Sequence, residues 1–180
     1  MDDRRTDQQL IASANRGDAA AFDVLYRRYR DWVVSLAFRF TDHRDDALDI
    51  MQDTFIHLLG RFPGFVLTCQ LKTFLYPIVR NLAVQRRRKR KPAFIDEELL
   101  DALPASATQV ETSNNADLIQ LLQMLPAAQR EVLIMRFVDG LSLADIAAAL
   151  SIPQGTVKSR FHHAINTLRD DPRTRSYFDQ

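Results

Sequence analysis

Apolar positions recur every three or four residues along most of this 180-residue chain, the spacing of amphipathic helices, and strand-like alternation is scarce. The pattern predicts a first helical segment over Asp7 to Tyr29, interrupted near Arg16, Gly17 and Asp18, with Phe22, Leu25, Tyr26 and Tyr29 on one face. Trp32, Val33, Leu36, Ala37 and Phe40 continue the spacing in a second segment. Thr41 to Arg44 reads as a turn, with Asp42 as N-cap of the next helix. That third predicted helix, Arg44 to Arg61, turns Leu48, Met51, Phe55, Leu58 and Leu59 inward. Pro63 and Gly64 then break the periodicity, and Phe62 to Leu71 is unusually apolar for a loop, which implies a surface to touch. A fourth helix is predicted over Lys72 to Arg90, burying Phe74, Leu75, Ile78, Val79, Leu82 and Ala83. Pro77 is expected either to begin its regular part or to kink it.

Pro92, Pro104 and the polar string Ser106 to Asn115 mark a linker, so a first domain over 1–91 and a linker over 92–115 are expected. The second domain, 116–170, is expected to hold four short helices: Asp117 to Met124, Ala127 to Val138, Ser142 to Leu150 and Gln154 to Arg169. A polar tail, 171–180, comes after it. The last two helices of the domain have the pattern of a helix-turn-helix. Leu143, Ile146, Ala147 and Leu150 line one helix, and Ser151 to Pro153 break it. Val157, Phe161, Ala164, Ile165 and Leu168 line the next. Pro153 suits a helix start, while Gly155 and Thr156 leave room for a close crossing or a phosphate. The opposite face carries Gln154, Lys158, Ser159, His162 and His163, flanked by Arg160, all able to reach base edges or phosphates. A plain helical hairpin with a solvated polar face is the alternative.

Five glycines favour an all-α protein of two small helical domains. The net charge of +1 hides segregation along the chain. Asp42, Asp45, Asp46, Asp49 and Asp53 crowd one stretch, Arg86 to Lys91 is an unbroken basic run, and Pro92 to Gln129 contains neither Lys nor Arg. Different segments therefore face different partners. Cys69, the only cysteine, excludes an intrachain disulfide and suits a reducing cytoplasm. MDDRRTDQQL lacks the apolar core of a signal peptide, and no run is long enough to span a bilayer. A soluble, cytoplasmic protein without membrane insertion is expected.

Asp45, Asp46, Asp49 and Asp53 lie three and four residues apart, largely on one exposed helix face. The helix dipole explains Asp45 and Asp46 near the N-terminus and covers Asp49 and Asp53 less well. A docking surface for a basic partner is favoured over a metal-dependent nuclease site, which would want ligands from another helix. Arg80, Asn81 and Gln85 lead into the basic run and extend it into a strip able to follow a phosphate backbone. Phe65, Phe74 and Tyr76 are candidates to stack on unpaired bases. Phe74 fits the core better, and Phe65 with the loop from Pro63 to Gln70 suits an extruded base. His162 and His163 are adjacent and cannot share one ion, and no nucleophile with a spaced base or phosphate-binding glycine loop is present. Neither a catalytic site, a metal nor a cofactor is expected.

Three segments, DDALDIMQDTFIHLL (Asp45 to Leu59), FLYPIVRNLAVQRRRKRK (Phe74 to Lys91) and LPAAQREVLIMRFVDGLSLADIAAALSIPQGTVKSR (Leu125 to Arg160), occur in the order found in bacterial sigma factors. The chain resembles the extracytoplasmic-function (ECF) class of the sigma-70 family over nearly its whole length. The resemblance implies a transcription initiation factor whose partners are core RNA polymerase and promoter DNA. It assigns Asp45, Asp46, Asp49, Gln52 and Asp53 to polymerase docking. It assigns Phe65, Arg80, Asn81, Arg86, Arg87 and Arg88 to opening and reading the minus-10 element. Gln154, Thr156, Lys158, Ser159, Arg160, His162 and His163 are assigned to the minus-35 element. The acidic linker would thread toward the RNA exit path, and an anti-sigma factor, often found holding members of this class inactive, joins the expected partners. The chain departs from the family pattern at Phe74, where Trp is common, and at Pro77, Gln85 and His163. It departs also at Ser151, where Gly is frequent. A stand-alone helix-turn-helix regulator remains the alternative, with the acidic helix then serving dimerisation.

Overall fold

Helix α1 (Asp7–Ala14) starts where Thr6 accepts the Gln9 N–H and Gln9 accepts the Thr6 N–H in return, a reciprocal capping box. Gly17, at φ +91°, breaks the chain as the sequence predicts. Asp18 then accepts the Ala21 N–H and caps α2 (Ala19–Thr41). The second helix runs through positions 30 and 31 without interruption, where two segments were expected. Arg30 and Asp31 are polar but neither breaks a helix, and the Arg27–Asp23 ion pair one turn earlier supports it. This computed structural model describes residues 3–90 and 121–171. The linker expected over 92–115 and the positions 172–180 of the expected tail lie outside the described residues, as do positions 117–120 of the helix expected over 117–124.

Asp42 does not cap the third helix. It closes α2 in the left-handed region at φ 57°, its N–H bonded to the Phe38 carbonyl. His43 stands at the N-cap of α3 (Arg44–Leu59), with no capping bond from its side chain. The phase of α3 also differs from expectation. Ala47, Ile50, Met51, Thr54, Phe55 and Leu58 are buried, and Leu48 and Leu59 point outward together with Ile56. Helix α4 (Leu71–Arg90) carries Pro77 within it. Pro77 supplies no N–H to the turn before it, yet the helix continues, and Leu71, Leu75, Val79 and Ala83 form its buried row. Helices α2, α3 and α4 pack mutually around Leu25, Leu36, Ile50, Leu58 and Leu75, each at most 1 % exposed. Each such side chain contributes about 1.5–3 kcal/mol by burial. Truncating one to Ala would cost about 2–5 kcal/mol. Tyr76 belongs to this core. It is 2 % exposed and meets Phe40 edge-on, so it has no face to offer an unpaired base.

The chain divides into two units, Met1–Phe94 and Ile95–Gln180. In the second, residues 121–124 are helical and are followed by α5 (Ala127–Phe137), α6 (Leu143–Leu150) and α7 (Gln154–Asp170). Arg130 donates to the Gln123 and Leu125 carbonyls, closing the end of the preceding helical turns. Ser142 caps α6 by accepting the Asp145 N–H. Leu125, Leu133 and Ala164 form a buried cluster, with Phe161, Ile165 and Leu168 of α7 packed against it. All described regular structure is helical.

Candidate nucleic-acid interface

Ser151 ends α6 in the left-handed region at φ 55°, and Pro153 stands immediately before the first residue of α7. A three-residue turn thus re-aims the chain between two helices, as the apolar spacing predicts. Val157 and Ala164 anchor α7 with no exposed surface. Gln154, Lys158, Ser159, His162 and His163 are exposed on its other side, and Thr156 and Arg160 are half-buried at its edges. The side chains singled out in the sequence therefore share one solvent-facing surface of a helix held rigidly from behind. Gly155 does not mark a close crossing: a β-carbon there would meet nothing within 4 Å.

In the first unit the apolar loop between α3 and α4 finds its contacts inside its own domain. Phe62 meets Phe22 edge-on at 5.8 Å, Phe65 meets Phe62 at 5.6 Å, and Phe65 lies against Phe74 at 4.9 Å. Phe65 is 8 % exposed. Its ring, expected to receive an extruded base, is instead an internal brace of the loop, held between α4 and Phe62. Val66, next along, is 75 % exposed and is the large apolar side chain the loop presents to solvent, alongside exposed Pro63, Gly64, Thr68 and Gln70. Asn15, at the C-cap of α1, grips this loop through three hydrogen bonds to the backbone of Gly64 and Phe65. No signal within the sequence marks Asn15, because its partners are 49 and 50 residues away.

The basic strip on α4 is less uniform than its sequence suggests. Asn81, Gln85, Arg88 and Lys89 are exposed, and Arg80 and Arg87 are half-buried. Arg86 points across to α3, where its guanidinium lies 2.7 Å from Asp49 and 3.8 Å from both Asp46 and Asp53. The hydrogen bond to Asp49 raises its pKa above the ordinary arginine value. This placement corrects the assignment of Arg86 to the phosphate-following strip: three carboxylates hold it in the interface between two helices. It also accounts for the crowded aspartates, whose mutual repulsion is relieved by a cation from another helix. Asp46 is 6 % exposed, so it belongs to this internal network rather than to an outer docking surface. Among the described residues no group of three or more His, Cys, Asp or Glu could hold a metal ion.

The outward face of α3 combines charge with apolar surface. Leu48, Gln52, Ile56 and Leu59 stand at spacings that place them on one side, and Leu48, Ile56 and Leu59 are 38 %, 66 % and 53 % exposed. Asp45 and Asp49 border this strip. A helix that leaves three large apolar side chains in water beside a row of acids has the composition of a protein-binding surface.

A unit bearing an acidic, partly apolar helix beside a basic one, and a second unit built on a helix-turn-helix, have the features of a DNA-binding protein. Comparison with known proteins identifies which. The chain matches Sigma-70 region 2 over residues 25–92 and Sigma-70, region 4, over residues 115–168. It is 32 % identical to the ECF RNA polymerase sigma factor SigW of Bacillus subtilis, across 90 % of this chain and 94 % of that one. It is 33 % identical to the RNA polymerase sigma-H factor of Pseudomonas aeruginosa, across 88 % and 89 %. Among solved structures it is similar to the sigma factor RpoE of Bartonella quintana in complex with the anti-sigma factor NepR, with 28 % identity, a TM-score of 0.60 and coverage of 83 % and 94 %. It shares the fold of CnrH, solved with the cytosolic domain of CnrY, at a TM-score of 0.63, covering 89 % of this chain and 93 % of that one. The chain belongs to the ECF class of the sigma-70 family. It is a transcription initiation factor that binds core RNA polymerase and directs it to promoters.

Proposed function

We propose that the three surfaces divide the work of initiation. The outer face of α3, with Asp45, Asp49, Gln52 and Asp53 around Leu48, Ile56 and Leu59, docks on core polymerase. The loop over 63–70 and the basic strip of α4, with exposed Asn81 and Arg88 and half-buried Arg80 and Arg87, take the opened minus-10 element. The α7 face carrying Gln154, Thr156, Lys158, Ser159, Arg160, His162 and His163 reads the minus-35 element in the major groove. The first role falls to domain 1–91 with the second, and the third to domain 116–170. The observation that carries this reading is the α7 surface, where every fully exposed side chain named above can hydrogen-bond and the whole apolar row is turned away. The protein acts without catalysis or cofactor of its own and works in the cytoplasm; no described helix is long and apolar enough to cross a membrane. An anti-sigma factor is a further partner, by analogy with the Bartonella quintana sigma factor seen bound to NepR.

Two substitutions test the division. Ile56→Arg places a charge on the docking face at a site with 66 % exposure and should abolish assembly with core polymerase while minus-35 duplex binding persists. Lys158→Ala should leave assembly intact, weaken minus-35 binding, and lower the salt dependence by about one counterion if the lysine meets a phosphate. Normal assembly by the first variant, or unchanged promoter affinity of the second at fixed salt, would remove that surface from the account.

A further inference from the structure

We infer that Asn15 is a positioning residue for the minus-10 loop, an inference that rests on the loop having the role proposed above. The segment 62–70 contains no helix or strand, so no ladder of backbone hydrogen bonds fixes its course. Asn15 supplies a substitute. Its Oδ1 accepts the N–H of Gly64 at 2.8 Å and that of Phe65 at 3.0 Å, and its Nδ2 donates to the Phe65 carbonyl at 2.9 Å. A single amide thereby satisfies both backbone groups of Phe65, as the edge of a neighbouring strand would.

The anchor is itself fixed. The Asn15 N–H bonds to the Ile11 carbonyl at 2.9 Å, and α1 is seated by buried Leu10 and Ile11. On the far side the Phe65 ring is clamped by Phe62 and Phe74. Backbone and ring of Phe65 are therefore both held, and Val66 is turned outward at 75 % exposure. Gly64, at φ +98°, makes the turn an L side chain would resist, which keeps both N–H groups pointing at one oxygen. Helix α1, remote in sequence from every basic residue of the DNA strip, thus sets where the loop meets an unpaired base. Removing the amide leaves the rings in place and lets the backbone of 64–66 shift, which degrades base discrimination before it degrades the domain.

The test is a competition in one transcription reaction. Two templates share a promoter recovered by selection with wild-type holoenzyme and differ only by substitutions in the minus-10 element. Because both compete for the same active molecules, loss of folded or assembled protein cancels from the product ratio. Asn15→Ala should reduce the wild-type preference by about tenfold, the equivalent of one to two neutral hydrogen bonds. Asn15→Asp keeps the acceptor and loses the donor, and should fall between. A preference within twofold of wild type for Asn15→Ala overturns the inference. Val66→Glu in the same reaction separates that outcome from failure of the underlying reading: if it too leaves the preference unchanged, the loop does not meet the minus-10 element and both fall together.

Discussion

Replacing Arg86 by alanine should destabilise the first unit without first affecting DNA contacts, and the network around it sets the magnitude. Two unit charges about 4 Å apart attract by about 1 kcal/mol in water and about 4 kcal/mol at an effective dielectric of 20. The Arg86 side chain keeps 35 % of its exposure, Asp49 keeps 52 % and Asp53 46 %. Those two pairs are thus well screened, worth about 0.2–1 kcal/mol each before the side chains are ordered. Asp46, at 9 % side-chain exposure and 3.8 Å, sits closer to the low-dielectric limit. The sum for Arg86→Ala is a loss of about 1–2 kcal/mol. Trp32 is the only tryptophan and lies in α2, so its fluorescence during urea unfolding of the full chain reports on the first unit alone. A double-mutant cycle with Asp49→Ala should give a coupling of about 0.5–1 kcal/mol that shrinks in high salt. A coupling of zero, with Arg86→Ala as stable as wild type but weaker on promoter DNA, would refute the pairing and return Arg86 to the DNA-facing strip.

Two further outcomes test the local physics. Ser151 holds φ 55°, a region that costs an L side chain about 1 kcal/mol; Ser151→Gly should therefore raise the melting temperature of the second unit by about 5 °C, and a lower one in calorimetry would show that the serine makes a compensating contact. Burial, and then the hydrogen bond to Asp7, raise the Tyr29 pKa above its ordinary 10.0. Its neutral form is favoured in the folded state, so the contribution is complete below pH 10 and lost progressively above it. Tyr29→Phe should flatten the stability of the first unit across that alkaline window, as read by Trp32 fluorescence, and an unchanged pH slope would place the alkaline sensitivity elsewhere.

Local chemistry decides which features were legible in the sequence. The helix-turn-helix could be read because Ile146, Ala147, Val157 and Ala164 are buried, and Leu143, Leu150 and Phe161 half-buried, at spacings the chain itself displays, with Ser151 and Pro153 as punctuation between them. The break at Gly17 was legible for the same reason. The phase of α3 was not, since Leu48 and Leu59 are as apolar as Ile50 and Leu58 and only the packing of α2 and α4 decides which row is inside. Asp42 is as good an N-cap by type as any, yet the carbonyl of Phe38 recruits its N–H as the end of α2. Arg86 and Asn15 escaped for a different reason. Their partners lie 37 residues away for the one and 49 to 50 for the other, and a basic run or a lone asparagine carries no mark of a carboxylate or a carbonyl brought near by folding. Tyr76 and Phe65 looked like stacking residues by type, and the fold spends both rings on its own interior.

This chain gives core RNA polymerase its choice of promoter. Run-off transcription with purified core polymerase on a library of promoter-length duplexes, with and without the protein, tests it most directly. The expected result is a set of transcripts that depend on the protein and come from a subset of templates sharing one motif near minus 35 and another near minus 10. Duplex binding by the protein alone, with no transcript that depends on its addition, would instead make it a stand-alone helix-turn-helix regulator.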